Sequence, residues 1–262
     1  WQALRESGPR DTRSAMPYRS LDHSRITETA EQLAARVGER FPQNGISGVA
    51  RELVQLSRDA AKDAATLERP ILWLRLLTGA AVLAGALMFA YIGTFLSFDR
   101  ISTGAFEFAA GLEASVNIII LSLIGFVTLW KTEERIKRRK VLTGLHRLRS
   151  VIHVIDMHQL TKDPAALSDS FKPTASSPKR ITEPQQLSRY LDYCSEMFSI
   201  TGKLAALYAQ AVNDEVVAEA VNDIENLGTN LSRKVWQKIM LIDAKVARQA
   251  KTTGKRGLSA SV

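Results

Sequence analysis

Leu76–Phe98 reads LLTGAAVLAGALMFAYIGTFLSF and Ala114–Trp130 reads ASVNIIILSLIGFVTLW, which are 23 and 17 consecutive residues without a charge. A hydrocarbon core about 30 Å thick needs about 20 apolar residues in a helix, because each residue adds about 1.5 Å. The first block reaches about 35 Å and spans with some tilt. The second reaches about 25 Å by itself. It becomes long enough when Ala109, Ala110, Gly111 and Leu112 join it, which places Glu113 at the outer interface. The reading is a two-helix transmembrane hairpin within 70–130, with spans at about 72–98 and 110–130. Two helices buried in a soluble core are the weaker alternative for uncharged blocks of this length. Arg75 lies close enough to the interface to snorkel, and Trp73, Tyr91 and Trp130 are candidates for the aromatic belts.

Charge orients the hairpin. Segment 131–149 carries Lys131, Arg135, Lys137, Arg138, Arg139, Lys140, Arg147 and Arg149 against Glu133 and Glu134, whereas loop 99–113 carries Asp99, Glu107 and Glu113 against Arg100. Positive charge stays on the cytoplasmic side, so both termini are expected there and only a short loop is exported. The first block begins far from the start of the chain and reads as an uncleaved anchor rather than a signal peptide. Trp1 opens the sequence and Met16 is the first methionine, so either position is open as the start of translation.

Flanking the hairpin, the periodicity is helical throughout and no stretch alternates long enough for a sheet. Residues 1–23 show no apolar period and read as a mobile arm. Within 24–69, Ile26, Ala30, Leu33, Val37 and Phe41 form one stripe. After the turn Pro42–Gly45 (PQNG), Val49, Leu53, Leu56, Ala60, Ala64 and Leu67 form a second. Segment 131–160 continues the second span as a basic helix. It has a heptad seam at Val141, Leu145, Leu148, Ile152 and Ile155, widened by Leu142, Val151 and Val154.

Residues 161–182 hold three prolines and many Ser and Thr, and read as a linker. Thr182 is the expected N-cap of a helix entered through Pro184. That helix has a seam at Leu187, Tyr190, Cys194, Met197, Thr201, Leu204, Tyr208 and Ala211. The stripe changes face at Asn213-Asp214 and resumes at Val217, Ala220, Ile224, Leu227 and Leu231, then drifts through Val235, Ile239, Ile242 and Val246. A face change favours a hairpin over 183–249 against one long helix, followed by a fraying basic tail at 250–262. The fold class is therefore all-α, with cytoplasmic amphipathic helices forming a bundle.

Composition narrows the chemistry. The 262 residues carry a formal net charge of +8, four His and one Cys. A single Cys excludes an internal disulfide or a Cys-based zinc cluster. No phosphate-cradling Gly-rich loop, HExxH or GxSxG is present. His153 and His158 lie five residues apart, about 140° round a helix, so with Asp156 they do not converge on one ion. Tyr190, Asp192, Tyr193, Cys194 and Glu196 cluster in sequence, yet no His accompanies the thiol, and packing is the expected role. Neither a catalytic residue, a metal nor a cofactor is assigned.

Two candidate sites remain. Lys131, Arg135, Lys137, Arg138, Arg139 and Lys140 form a collar beside the bilayer, suited to anionic lipid headgroups or to topology alone. No stacking aromatic lies between Lys131 and Leu160, so nucleic acid is not expected as a partner. Glu113 and Asn117 share one face of the second span. They serve either an interhelical hydrogen bond or the mouth of a pore that narrows at Leu121 and Ile124.

Val151–Pro164 (VIHVIDMHQLTKDP), with Tyr190–Met197 (YLDYCSEM), resembles a group of uncharacterised bacterial membrane proteins. The layout over 47–160 is similar to the SLATT two-transmembrane domains. That likeness implies the bacterial inner membrane and a membrane-perturbing effector role in conflict systems, and it transfers no site residue. The residues themselves point to a non-catalytic scaffold or complex subunit, a homo-oligomer or a docking platform for a protein partner. An oligomeric pore or effector is the alternative.

Overall fold

The computed structural model describes residues 20–67, 69–95, 105–168, 171–178 and 180–259. Most of the N-terminal arm and the first part of the connecting loop lie outside these residues, as does the side chain of Trp130. The described residues are helical with no strand among them: α1 (His23–Arg40), α2 (Gly45–Leu67), α3 (Leu72–Phe95), α4 (Ala105–Leu160), a 3-10 turn (Pro164–Leu167), α5 (Pro184–Ala211) and α6 (Glu215–Ser259). Contacts divide the chain into a discontinuous unit, up to Thr66 and from Val141 onward, and an apolar unit, Leu67–Lys140.

In the discontinuous unit, α1 starts where the Asp22 carboxylate accepts the Ser24 N–H at 2.8 Å. It buries Ile26, Ala30, Leu33 and Val37 and ends where the Phe41 N–H donates to the Val37 carbonyl. Through the PQNG turn the chain enters α2, whose expected stripe is buried together with Ile46, Ala50 and Val54. Ser57, buried on α2, bonds Thr27 of α1 at 2.9 Å, and Arg58 pairs with Glu31 at 2.7 Å.

The hairpin expected at Asn213-Asp214 is present. Successive approaches fix it as antiparallel: Ser195 to Ser232 at 2.6 Å, then Phe198 beside Gly228, then Gly202 beside Glu225. A Cβ on Gly228 would lie 3.6 Å from the Phe198 carbonyl, an ordinary van der Waals contact, so the two helices pass closely here. The expected seam of α5 is buried except Ala211. So are Leu191, Tyr193, Ser195, Phe198, Ile200, Ala205 and Leu207, which lie off that seam. Buried round most of its circumference, with Arg189, Ser199 and Lys203 left exposed, this helix is central. Its neighbours include α1, where Arg36 pairs with Glu196 at 2.6 Å, and the last turns of α4, where the Tyr190 hydroxyl reaches the His158 carbonyl.

Five expectations are corrected. Glu183, not Thr182, occupies the cap position of α5; its side chain makes no capping bond, and Pro184 opens the first turn. Segment 161–182 is not a free linker. The Asp163 carboxylate accepts the Ala165 N–H at 2.9 Å to start the 3-10 turn, which packs on α6 with Pro164 buried. The arm ends earlier than 23, since the Leu21 N–H donates to Gln210 at 2.8 Å. The tail continues α6 to Ser259 instead of fraying at 250. Val154 is 39% exposed and does not widen the α4 seam, whereas Val151 is buried.

In the apolar unit, α3 and the first part of α4 carry the two uncharged blocks. One helical stretch within 45–87 is long and apolar enough to cross a membrane, and 6% of its most apolar window is buried.

Candidate functional site

Glu133 organises one end of the apolar unit. Its side chain, 16% exposed, accepts the Ile71 N–H at 3.3 Å, the Arg75 guanidinium at 3.4 Å and the Lys137 ammonium at 3.0 Å. The first N–H groups of a helix have no partner within it, and the carboxylate, from α4, takes the one on Ile71 just ahead of α3. Burial pushes the carboxyl up. The bonds from Lys137 and Ile71 outweigh burial, and the net value lies below the ordinary glutamate range. Sequence reasoning counted Glu133 only as charge opposing the collar. Arg75, expected to snorkel, is also Glu133's ion-pair partner.

The collar residues therefore differ from one another. Lys131, Arg135, Arg139 and Lys140 are exposed, while Arg138 is half-buried. Lys137 is also half-buried, and its charge is engaged by Glu133. On the other block, Glu113 and Asn117 are both exposed, as are Leu121 and Ile124 at 68% and 57% on the same face. Neither polar group receives a partner within the chain in any contact described. Trp73 and Tyr91 are exposed at 62% and 65%.

The discontinuous unit gathers the polar residues singled out along the sequence, but disperses their roles. Phe41 stands edge-on to Tyr190 at 5.3 Å and to Tyr193 at 6.3 Å, and Arg36 lies over the Tyr193 ring. Asp192 pairs with Arg189 one turn earlier. Cys194 is fully buried, and burial pushes its thiol up to about 12 despite the Lys238 and Lys162 charges that oppose this. Such a thiol is not a nucleophile at neutral pH. His153 is exposed, whereas the half-buried His158 packs its ring against Gly45. Among the described residues no group of three or more His, Cys, Asp or Glu is arranged to hold a metal ion.

Lys238, which sequence reasoning missed, reaches across from α6 to the end of α4. Its ammonium donates to the Gln159 carbonyl at 3.0 Å and to Gln159 Oε1, and the Gln159 amide in turn donates to Asp156 at 2.6 Å. The contact supplies the cation that a helix C-terminus favours. Only the drift of the α6 stripe past Val235 hinted that this face met something other than α5. Beside it, a groove of about 450 Å³ is lined by Arg40, Arg189, Asp192, Trp236 and Asp243 among others. Its charges are balanced and no nucleophile–base pair lines it. No protein-family model matches the chain, and no curated protein or solved structure shows significant similarity to it.

Proposed function

We propose that the chain is a non-catalytic membrane protein. In this reading α3 and the first part of α4 cross a bilayer as a hairpin with both flanks cytoplasmic, and the discontinuous unit serves as a helical platform for self-association or for a protein partner. One observation carries it. Every side chain from Gly79 to Leu87 (GAAVLAGAL) is exposed, with Leu76 at 74% and Leu83 at 60%. A helix apolar all round and uncovered all round belongs in hydrocarbon, where its backbone bonds are satisfied internally. Exposed Trp236, Met240 and Leu241 on α6 support the platform role. The exposed cations at Lys131, Arg135, Arg139 and Lys140 suit anionic headgroups, each contributing about 1 kcal/mol.

The test combines extraction and labelling. The chain is expected to stay with membranes through an alkaline carbonate wash. Thr103→Cys in a Cys194→Ala background is expected to react with an impermeant thiol reagent only from outside. Release by carbonate, or labelling only from the cytoplasmic side, would overturn the reading.

A second reading, an oligomeric pore, rests on the exposed face Glu113–Asn117–Leu121–Ile124, whose carboxylate ring would draw cations above an apolar constriction. It requires ion flux from proteoliposomes that changes in Glu113→Gln and Asn117→Leu. Absence of flux leaves the scaffold reading alone.

A further inference from the structure

Most of the chain's net charge sits in its last quarter. Residues 226–262 hold eight Lys and Arg against one acid, Asp243, and so account for +7 of the total of +8. The residues before them are close to neutral. One of the eight, Lys238, is spent on Gln159. Arg233, Lys234 and Arg248 are exposed, and Lys245 is half-buried.

The same length of α6 keeps large apolar side chains in the open. It packs through Val235, Ile239 and Ile242, which are buried. Positions 233, 236, 237, 240, 241, 244, 247 and 248 are all exposed and recur at steps of three and four. At 100° per residue they fall within an arc of about 140°, opposite the packed side. Along that stripe lie Trp236 at 52% exposed, Met240 at 69% and Leu241 at 62%. Arg233 and Lys234 flank them at one end and Arg248 at the other.

These two properties together select the chemistry of the partner. A purely apolar surface leaves the cations without counter-charge. A nucleic acid answers the cations but leaves Met240 and Leu241 uncovered, and α6 has only the Trp236 ring on which a base could stack. Charge of one sign along the stripe opposes a second copy laid on it. An anionic bilayer surface meets both requirements. Its phosphates face the guanidinium and ammonium groups, the acyl boundary beneath accepts the apolar side chains, and tryptophan favours the headgroup level between them.

We propose that this stripe of α6 docks on an anionic lipid surface, with Trp236, Met240 and Leu241 entering the headgroup layer and Arg233 and Lys234 set against phosphates. The proposal rests on the membrane reading in that a bilayer must be at hand, and it names what the exposed face of the platform meets.

The test places a bimane label on Ala244→Cys in a Cys194→Ala background. The full chain is held in nanodiscs of phosphatidylcholine, with or without phosphatidylglycerol, and vesicles of either composition are added. Quenching by neutral acrylamide reports how far water reaches the stripe. Anionic lipid, in the disc or in the vesicle, is expected to cut quenching several-fold, and high salt to restore it. Arg233→Gln combined with Lys234→Gln should raise the anionic lipid needed for half-protection about tenfold or more, with Lys172→Gln unchanged as the control. Should the double variant lose helicity by circular dichroism, the salt reversal in the labelled parent decides. Equal quenching in both lipids overturns the proposal. So does protection in phosphatidylcholine alone, which marks a protein contact, or protection by duplex DNA in place of anionic lipid. The carbonate wash reports on the hairpin separately. A chain released by carbonate but protected by anionic vesicles keeps this surface, and a chain retained but unprotected loses it.

Discussion

Glu133 shows what one carboxylate does when it accepts from a backbone N–H, a guanidinium and an ammonium at once. Its folded value lies below the ordinary one, near 4.5. The carboxylate therefore adds stability above about pH 4.5, and that contribution disappears as pH falls through the lower folded value. Glu133→Gln is expected to remove about 1–2 kcal/mol from the local structure. Hydrogen exchange at residues 71–75, corrected for intrinsic rates, should then run about tenfold faster at neutral pH. Wild type and variant should converge in acid, and equal protection at every pH would remove the latch from consideration. A second residue acts by having no side chain. A Cβ on Gly144 would lie 2.6 Å from Cζ of Tyr208, a buried ring whose hydroxyl donates to Asp63 at 3.2 Å. Gly144→Ala gains helix propensity of about 1 kcal/mol but loses more to overpacking, so a net melting decrease is expected by circular dichroism. Neither role was legible in the sequence. Glu133 and Gly144 derive theirs from Ile71 and Tyr208, 62 and 64 positions away along the chain.

Helices with one apolar stripe were readable because a single face decides their partner. The stripes of α1 and α2, the α4 seam and the turn between α5 and α6 all fell within a residue or two of expectation. Where a helix is buried round most of its circumference, a single stripe describes only part of it. The seam from Leu187 to Tyr208 accounts for only part of α5, because Leu191, Phe198, Ile200 and Leu207 are buried as well. The linker failed for the opposite reason: Pro, Ser and Thr composition reports the absence of a helix, not the absence of packing. Enclosure of α5 has a chemical signature in Cys194, whose thiol burial pushes to about 12. At pH 7 its thiolate is scarce, so a disulfide-exchange reagent should react orders of magnitude more slowly than with free cysteine. The rate should rise to the free value with denaturant, tracking loss of the α5–α6 hairpin. Rapid labelling of the native chain would show that the helix opens readily.

Across the whole molecule, self-association is the untested property most open to a clean experiment. A Cβ added at Gly79, Gly85 or Gly125 meets nothing within 4 Å in the chain. Small residues on apolar helices permit close approach of a second copy in a membrane. Gly85→Leu should therefore leave the fold of a single chain intact, with unchanged helicity, while lowering the oligomer mass measured in lipid nanodiscs. An unchanged mass would exclude this face from any assembly.

The discontinuity of the first unit bears on the order in which the chain is made. Leu21 waits for Gln210, Arg36 for Glu196 and Asp63 for Tyr208, separations of 189, 160 and 145 residues. Synthesis runs from the N-terminus, so α1 and α2 emerge with part of their apolar surface uncovered and stay so while both uncharged blocks are translated and α5 has yet to appear. Their partners arrive only near the end of translation. During that interval the nascent chain presents two amphipathic helices without their central one, the kind of surface that holding chaperones cover and that aggregates when they do not. Ribosomes stalled before residue 184 should accordingly display α1 and α2 in a protease-sensitive state, and release of the finished chain should close it.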